Sequence, residues 1–219
     1  EDLKYVEYFE FTGGEPFMIK DHFKILMHCV EKGYANNIDI HYNTNGTQLP
    51  PQEIFDLWSY FKHVEVAFSI DDVGEPFEYQ RHPAKWREVN QNLQNIDRKI
   101  NARKFEILNP QGQHAICAGL KDDIQVTIKG HTGYYCAGMN QKATITVHGN
   151  VGTGVAENMM SGKIVVKGNA SQSAGATGHG GALIIEGDAS SRCGISMKGI
   201  NIVVKGSVGH MSAFMAQKG

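Results

Sequence analysis

The sequence predicts a chain of two architectures: an α/β half in which strands and helices alternate, then a parallel β-helix built from 19-residue coils. Three observations carry that expectation. Gly130, Gly149, Gly168, Gly187 and Gly206 follow one another at a constant interval of 19 residues. A short strand-like run precedes each of them: QVTIK, ATITVH, GKIVVK, GALIIE and INIVVK. Composition also changes along the 219 residues, with 5 of 25 glycines in the first hundred positions and 20 after, and with 16 aromatic residues before and 4 after.

The first half reads strand, helix, strand, helix, strand, helix. YVEYFEF is a strand candidate that ends at Thr12-Gly13-Gly14-Glu15-Pro16. A helix follows, with Asp21 as N-cap, Phe23, Leu26, Met27 and Val30 on one face, and Gly33 at its stop. The strand NIDIHYN closes at Thr44-Asn45-Gly46. Pro50 and Pro51 open a second helix whose stripe is Ile54, Leu57, Trp58 and Phe61. VEVAFSI is the third strand, ended by Asp71 and Asp72. A loop through Arg81-His82-Pro83 leads to a third helix from about Ala84, with Val89, Leu93, Ile96 and Ile100 inward. This alternation is βαβ logic and implies a parallel sheet. Polar motifs at three carboxyl strand ends then share one rim, where α/β sheets bind ligands.

In the repeat, the same two columns of every strand are apolar: Val126, Ile145, Ile164, Leu183, Ile202 and Ile128, Val147, Val166, Ile185, Val204. They lie two residues apart and so point to one face of a strand. One strand per fixed period indicates stacked coils. Small residues recur at the corners, in a column read as Cys117, Cys136, Val155, Ala174, Cys193, Ser212. The residue after most marker glycines is a turn former: Asn150, Asn169, Asp188, Ser207.

Charge is divided as well. Residues 1–100 hold 10 Lys and Arg against 17 Asp and Glu, about −7, and the remainder holds 11 against 6, about +5, for a net of −2. That balance does not point to nucleic acid, and no apolar run approaches the ~18 residues of a membrane span. There is no secretory signal. Cys29, Cys117, Cys136 and Cys193 have no metal-ligand spacing and read as buried thiols of a reducing, cytoplasmic setting. A bridge between Cys117 and Cys136, one coil apart, stays open as the alternative. The ten histidines form no i,i+4 pair. Glu15, Asp71 and Asp72 can be read as an acid–base set or as caps and turns, and Met159-Met160 as a soft ligand pair or, more simply, as corner packing.

LNPQGQHAICAGL, GYYCAGMN, GVAENMMSG, GNASQSAGATGHGG, SRCGISMKG and GSVGHMSAFMAQ resemble the glycine-rich GXGXG domain that ends the large subunit of glutamate synthase. The likeness is greatest to its free-standing relatives in glutamate-synthase-like and N-methylglutamate synthase complexes, and a similar domain belongs to formylmethanofuran dehydrogenase. It covers residues 105–219, with REVNQNL similar to the lead-in of the free-standing form. The resemblance implies a right-handed parallel β-helix with a structural and assembly role. Its expected partners are other subunits or domains of a glutamate-synthase-like complex, with neither nucleic acid nor membrane among them. In that family the oxidoreductase chemistry lies elsewhere.

FTGGEPFM, YNTNG and FSID, each after a strand, resemble the S-adenosylmethionine (SAM)-binding core of radical SAM enzymes, and FEYQRHPAKW extends the similarity to the twitch-type members. The first half is then a partial (βα) barrel fragment. GGEP alone marks a turn as readily as a ligand site; three motifs at three successive strand ends single it out. The resemblance implies that Gly13, Gly14 and Glu15 meet the amino group of SAM. It puts Ser69, Asp71, Asn43 and Asn45 against its ribose or carboxylate, and makes Arg81 a carboxylate partner. SAM is the small-molecule cofactor implied. The [4Fe–4S] cluster of the family needs three cysteines in a CxxxCxxC loop, which belongs upstream of Glu1 and is not in this sequence.

The division expected is therefore a radical SAM-like fragment over 1–86, a helical junction over 87–104, and a GXGXG-type β-helix over 105–219 that stops short in its last repeat. Three functions follow from different parts of this reading. One is a structural and assembly domain joined to an incomplete radical SAM core. Another is the SAM-binding part of a radical SAM iron–sulfur enzyme. The third is a chimeric or fragmentary chain with no integrated function.

Overall fold

The computed structural model describes residues 2–217. The chain divides into two compact units, Glu1–Ala102 and Arg103–Gly219. Each holds one all-parallel sheet, of three and six strands, in an α/β-type arrangement with few helices. This corrects the expectation of a partial (βα) barrel followed by a right-handed parallel β-helix. The strands of the first unit form a sheet of their own in the order of the sequence. In the second unit every strand belongs to a single sheet, and the rest of each repeat is turn.

In the first unit a 3-10 turn at Asp2–Tyr5 precedes β1 (Tyr8–Phe11), so the first strand is shorter than YVEYFEF. After a 3-10 turn at Pro16–Met18 come α1 (Lys20–Glu31), β2 (Asp39–Thr44), α2 (Gln52–Trp58), β3 (His63–Phe68), α3 (Glu75–Gln80) and α4 (Trp86–Ile100). The register pairs Phe9 with Ile40 and Ile40 with Val64. β2 alternates strictly, with Ile40, Tyr42 and Thr44 buried and Asp39, His41 and Asn43 half-buried. Tyr42 centres the core, its ring 5.1 Å from Phe11, 5.0 Å from Phe17 and 5.3 Å from Trp58. Trp58 Nε1 donates to the Tyr42 hydroxyl at 3.2 Å, which satisfies two otherwise buried polar atoms. The helix α1 starts at Lys20 rather than at an Asp21 cap; Asp21 sits in its first turn, paired with Lys24 at 2.7 Å. Its inward face is His22, Leu26 and Cys29, while Met27 is exposed. The helix α4, expected as a junction, lies in the first unit, where Val89 and Ile96 are buried.

The second unit comprises β4 (Lys104–Leu108), β5 (Gln125–Lys129), β6 (Thr144–His148), β7 (Lys163–Val166), β8 (Ala182–Ile185) and β9 (Asn201–Val204), paired in that order. The register joins Val126, Ile145, Ile164, Leu183 and Ile202 in one ladder column and Ile128, Val147, Val166, Ile185 and Val204 in the other. Both columns point into the core, and from β6 to β8 their residues are fully buried. Opposite the sheet, single bridges link Thr132, Val151, Ala170, Ala189 and Val208.

The turns explain why no second strand forms in each repeat. Every second residue there has positive φ: Tyr135, Ala137, Met139, then Gly154, Ala156, Asn158, then Ser173, Gly175, Thr177, then Arg192, Gly194, Ser196. A left-handed residue costs roughly 1–2 kcal/mol when it carries a side chain, and its recurrence at every second position interrupts any run of extended backbone. Hydrogen bonds between repeats offset that cost. Ser173 N–H donates to Ser191 O at 3.0 Å in the next repeat, Gly175 N–H to Val155 O at 2.8 Å in the previous one, and Thr177 N–H to Ile195 O at 2.9 Å in the next.

A second ladder runs along the corner after each marker glycine. His131 Nδ1 accepts from Asn150 N–H at 2.9 Å, and Asn150 Oδ1 from Asn169 N–H at 2.9 Å. Asn169 Oδ1 then accepts from Asp188 N–H at 2.8 Å, and Asp188 Oδ1 from Ser207 N–H at 2.7 Å. A Cβ at Gly168 would collide with Asn150 Oδ1, and one at Gly187 with Asn169 Oδ1. At Gly168, Gly187 and Gly206 the marker is glycine because a side-chain oxygen and the backbone of the previous repeat occupy its Cβ position; at Gly149 the Gly130 backbone does so, and at Gly130 the Pro110 ring.

Candidate functional site

The residues singled out by sequence gather at the carboxyl ends of β1, β2 and β3. Gly13 and Gly14 follow β1 with φ of 86° and 63° and are exposed; a Cβ on either would meet open space. Their backbone turns the chain so that Glu15 points inward. Glu15 is 8% exposed. Its Oε1 accepts from Phe17 N–H at 3.3 Å and so caps the 3-10 turn. The Thr44 hydroxyl lies 2.8 Å from both carboxylate oxygens, and Asn45 N–H donates to Oε2 at 3.1 Å. This carboxylate thus ties the end of β1 to the end of β2.

The remaining residues close loops in the same way. Asn45 Oδ1 accepts from Thr47 N–H at 2.8 Å and from the Thr47 hydroxyl at 2.7 Å, an Asx turn. Gly46 N–H donates to Thr44 Oγ1 at 3.0 Å, and Gly46 O accepts from Asn92 Nδ2 of α4 at 2.9 Å. Ser69 is exposed and its N–H donates to Thr44 O at 2.8 Å. Arg81 Nε donates to Asp71 Oδ2 at 2.5 Å, so the guanidinium expected to meet a ligand carboxylate already meets one of the chain. Asn43 is half-buried on the face of β2 opposite Thr44.

The fit to SAM follows from these contacts. Glu15, Asn45, Asp71 and Arg81 have polar groups engaged with one another or with the loops, and no cradle that a Cβ would fill exists at Gly13 or Gly14. Asn43, Ser69 and two exposed glycine backbones are too few to hold an ammonium, a carboxylate and a ribose together. The set does not fit SAM as arranged. Among the described residues no group of three or more His, Cys, Asp or Glu converges as metal ligands, so the donor set does not fit a [4Fe–4S] cluster either.

Sequence reasoning missed two residues of this rim. Thr44 carries the buried hydroxyl that Glu15 and Gly46 share, and its backbone carbonyl accepts from Ser69 N–H; the signal was its place in the inward column Ile40, Tyr42, Thr44. His22 lies among Phe11, Phe23 and Tyr42, with Nδ1 2.7 Å from Ile19 O and Nε2 without a partner among the described residues. Burial pushes its pKa below 6.5, against a smaller upward effect of the Ile19 carbonyl.

All four cysteines are free. Burial, with Cys136 nearby, pushes the Cys117 thiol up to about 12, and burial raises those of Cys136, Cys193 and Cys29, which keeps them protonated and poor nucleophiles. The expected column is also shifted by one residue at its start. Ala137 N–H donates to Ile116 O and Ala156 N–H to Cys136 O, which sets Ile116 beside Cys136 and Cys117 beside Ala137. On the turn side, His114 stacks on Tyr134 with centroids 4.5 Å apart. Among the described residues no helix is long and apolar enough to cross a membrane.

No family model matches this chain, and no solved structure matches it. A stretch of 49 residues, 22% of the chain, is 59% identical to Protein GlxC of Rhizobium meliloti (strain 1021). The match spans 22% of the length of that protein, so the likeness is one of a part to a part.

Proposed function

We propose that residues 105–219 are a structural and assembly domain of a glutamate-synthase-like amidotransferase complex of the oxidoreductase type, and that they supply no reacting group. The observation that carries this reading is the series of GXGXG-type segments in order, from LNPQGQHAICAGL to GSVGHMSAFMAQ. The likeness to Protein GlxC adds support as a relation of part of this chain to part of a longer protein. The physics of the unit agrees with a scaffold, since each repeat is tied to its neighbours by a strand ladder, alternating turns and an Asn/Asp corner ladder. The partners are other subunits or domains of such a complex. Their setting is the cytoplasm, where the four thiols stay reduced.

Residues 1–86 are, in the same proposal, part of a radical SAM-type core. The common rim of FTGGEPFM, YNTNG and FSID supports that origin. The pairing of Asp71 with Arg81 and of Glu15 with Thr44 supports a present role in closing the fold.

Two experiments test the two halves separately. Native mass spectrometry of the chain co-expressed with glutaminase-type and flavin-binding subunits should give a complex of fixed stoichiometry; a chain that stays alone in every combination overturns the assembly reading. Anaerobic reconstitution with iron and sulfide should give no stoichiometric [4Fe–4S] absorbance. Cluster at unit occupancy with reductive cleavage of SAM would overturn the account of the first unit.

A further inference from the structure

The joints between repeats of the second unit share one geometry but use two kinds of acceptor, and only one kind is lost in acid. At the corner after β5, His131 Nδ1 accepts from Asn150 N–H at 2.9 Å. In the next two repeats the same task falls to carboxamide oxygens. Asn150 Oδ1 accepts from Asn169 N–H at 2.9 Å, and Asn169 Oδ1 from Asp188 N–H at 2.8 Å. A second imidazole works in the same way one repeat earlier. His114 Nδ1 accepts from Tyr134 N–H at 2.9 Å while its ring stacks on that of Tyr134, with centroids 4.5 Å apart and planes at 7°. Ala115 N–H donates to Tyr134 O at 2.7 Å, so both polar backbone atoms of Tyr134 are tied to the first repeat.

An imidazole accepts only through an unprotonated nitrogen; as the cation, both of its nitrogens donate. A backbone N–H that faces such a cation has lost its acceptor and meets a positive charge instead. A carboxamide oxygen takes up no proton in the same range, so Asn150 and Asn169 stay acceptors.

The surrounding groups do not offset the added charge. Among the described residues neither imidazole has a carboxylate within 4.0 Å, whereas His41 of the first unit sits 3.1 Å from Glu65. Tyr134 is the titratable group that faces His114, with the Tyr135 ring 6.5 Å beyond it. The strand ends that lead into the His131 corner carry Lys129 and His148 as register partners, and the Lys129 ammonium is held by Glu106 at 2.7 Å. Residues 101–219 hold 11 Lys and Arg against 6 Asp and Glu, so each further proton adds to an excess of positive charge.

We propose that His114 and His131 form an acid-sensitive latch on the first repeats of the second unit. Protonation of the two imidazoles frees Tyr134 N–H and Asn150 N–H, while the carboxamide rungs beyond them hold. An imidazole ordinarily takes up its proton between about pH 8 and about pH 5, so the latch is closed at the upper end and opens toward the lower. It rests on bonds within the second unit and is independent of the assembly reading above.

The test uses the whole chain, isotope-labelled, with its amide protons followed by nuclear magnetic resonance from about pH 8 to about pH 5. The Tyr134 and Asn150 amide protons should move upfield in step with titration of the Cε1–H of His114 and His131. Their protection against exchange, relative to the free-peptide rate at each pH, should fall by roughly two- to tenfold, as for loss of one ordinary hydrogen bond. Asn169 and Asp188 N–H should keep theirs. His131→Asn puts at this corner the acceptor that the next repeats use, so Asn150 protection should become independent of pH while Tyr134 still responds. His114→Phe keeps a ring for the stack without the acceptor, and Tyr134 protection should be low at both ends of the range. No change at Tyr134 and Asn150 in the parent overturns the proposal. So does loss at Asn169 and Asp188 in step with Asn150, because the whole unit would then be yielding to acid. An Asn150 response that survives His131→Asn overturns it as well, since the acceptor would not be the group that titrates.

Discussion

The two units reach order by opposite routes. The first relies on contacts used once: Tyr42 at the centre of an aromatic cluster, and one buried carboxylate, Glu15, that joins two strand ends through Thr44. The second relies on a few contacts used repeatedly, each between neighbouring repeats. Loss of a unique contact is felt throughout the cooperative unit that depends on it, whereas loss of one rung is felt first by adjacent rungs. The substitutions below separate these behaviours.

The largest effect is expected in the middle of the second sheet. Ile164 is fully buried between Ile145 and Leu183, and Ile164→Ala leaves a cavity between rungs at a cost of about 2–5 kcal/mol. Lys163→Ala, one position earlier on the opposite face, should stay within about 0.5 kcal/mol. Hydrogen exchange should show protection lost in β6, β7 and β8 for the first and unchanged for the second. Equal losses would mean that the inward column has been misplaced.

Next comes the rim of the first sheet. Thr44→Val removes the hydroxyl from both Glu15 oxygens and leaves a buried carboxylate with fewer donors, a loss of about 1.5–3 kcal/mol. Glu15→Gln combined with Thr44→Val should cost less than the sum of the single changes, because the two groups share one interaction. Strict additivity in chemical denaturation would show that Glu15 and Thr44 act independently.

How far the sequence disclosed these units follows from the same contrast. The inward columns of β5 to β9 were legible because period 2 and period 19 both recur. The cysteine column was misread at its start because the period of 19 does not extend to the first coil: Lys104 pairs with Gln125, 21 residues on, and Ile116 rather than Cys117 lies beside Cys136. The left-handed turns were not legible, since Tyr135, Met139 and Arg192 hold positions at which glycine is the usual signal. That substitution of turns for strands is what overturned the expected β-helix. At the rim, the gathering of Glu15, Asn45, Ser69 and Asp71 at strand ends was readable from βαβ order. Their engagement was not: Thr44 and Glu15 are 29 residues apart, and only packing decides whether a carboxylate faces a ligand or a hydroxyl.

A smaller, pH-dependent effect separates the units further. His22 is 5% exposed and burial lowers its folded pKa, so the unfolded chain binds the proton more tightly. The stability due to neutral His22 is complete above the unfolded value of 6.5 and is lost as pH falls from there toward the folded value. The slope reaches at most about 1.4 kcal/mol per pH unit for one proton. Denaturation followed by tryptophan fluorescence, which reports only the first unit because both tryptophans, Trp58 and Trp86, lie there, should show this acid loss. His22→Phe should flatten it, and an unchanged slope would assign the titration to another group.

The smallest effect is the most local. Asn169→Ala removes the acceptor of Asp188 N–H, a 2.8 Å bond at an exposed corner. Water can replace the lost acceptor there, so the cost should lie at the low end of an ordinary hydrogen bond, about 0.5 kcal/mol. The neighbouring rungs have their own acceptors: Asn150 Oδ1 still receives the N–H of residue 169, and Asp188 Oδ1 that of Ser207. Exchange should therefore quicken at Asp188 N–H while Ser207 N–H keeps its protection. Asn169→Asp should be close to neutral, because Asp188 performs the same task one repeat on with its own carboxylate. If Asn169→Ala instead loosened Ser207 and Asn150 together with Asp188, the corner ladder would be one cooperative element. The distinction between a unit of unique contacts and a unit of repeated ones would then fail at this corner.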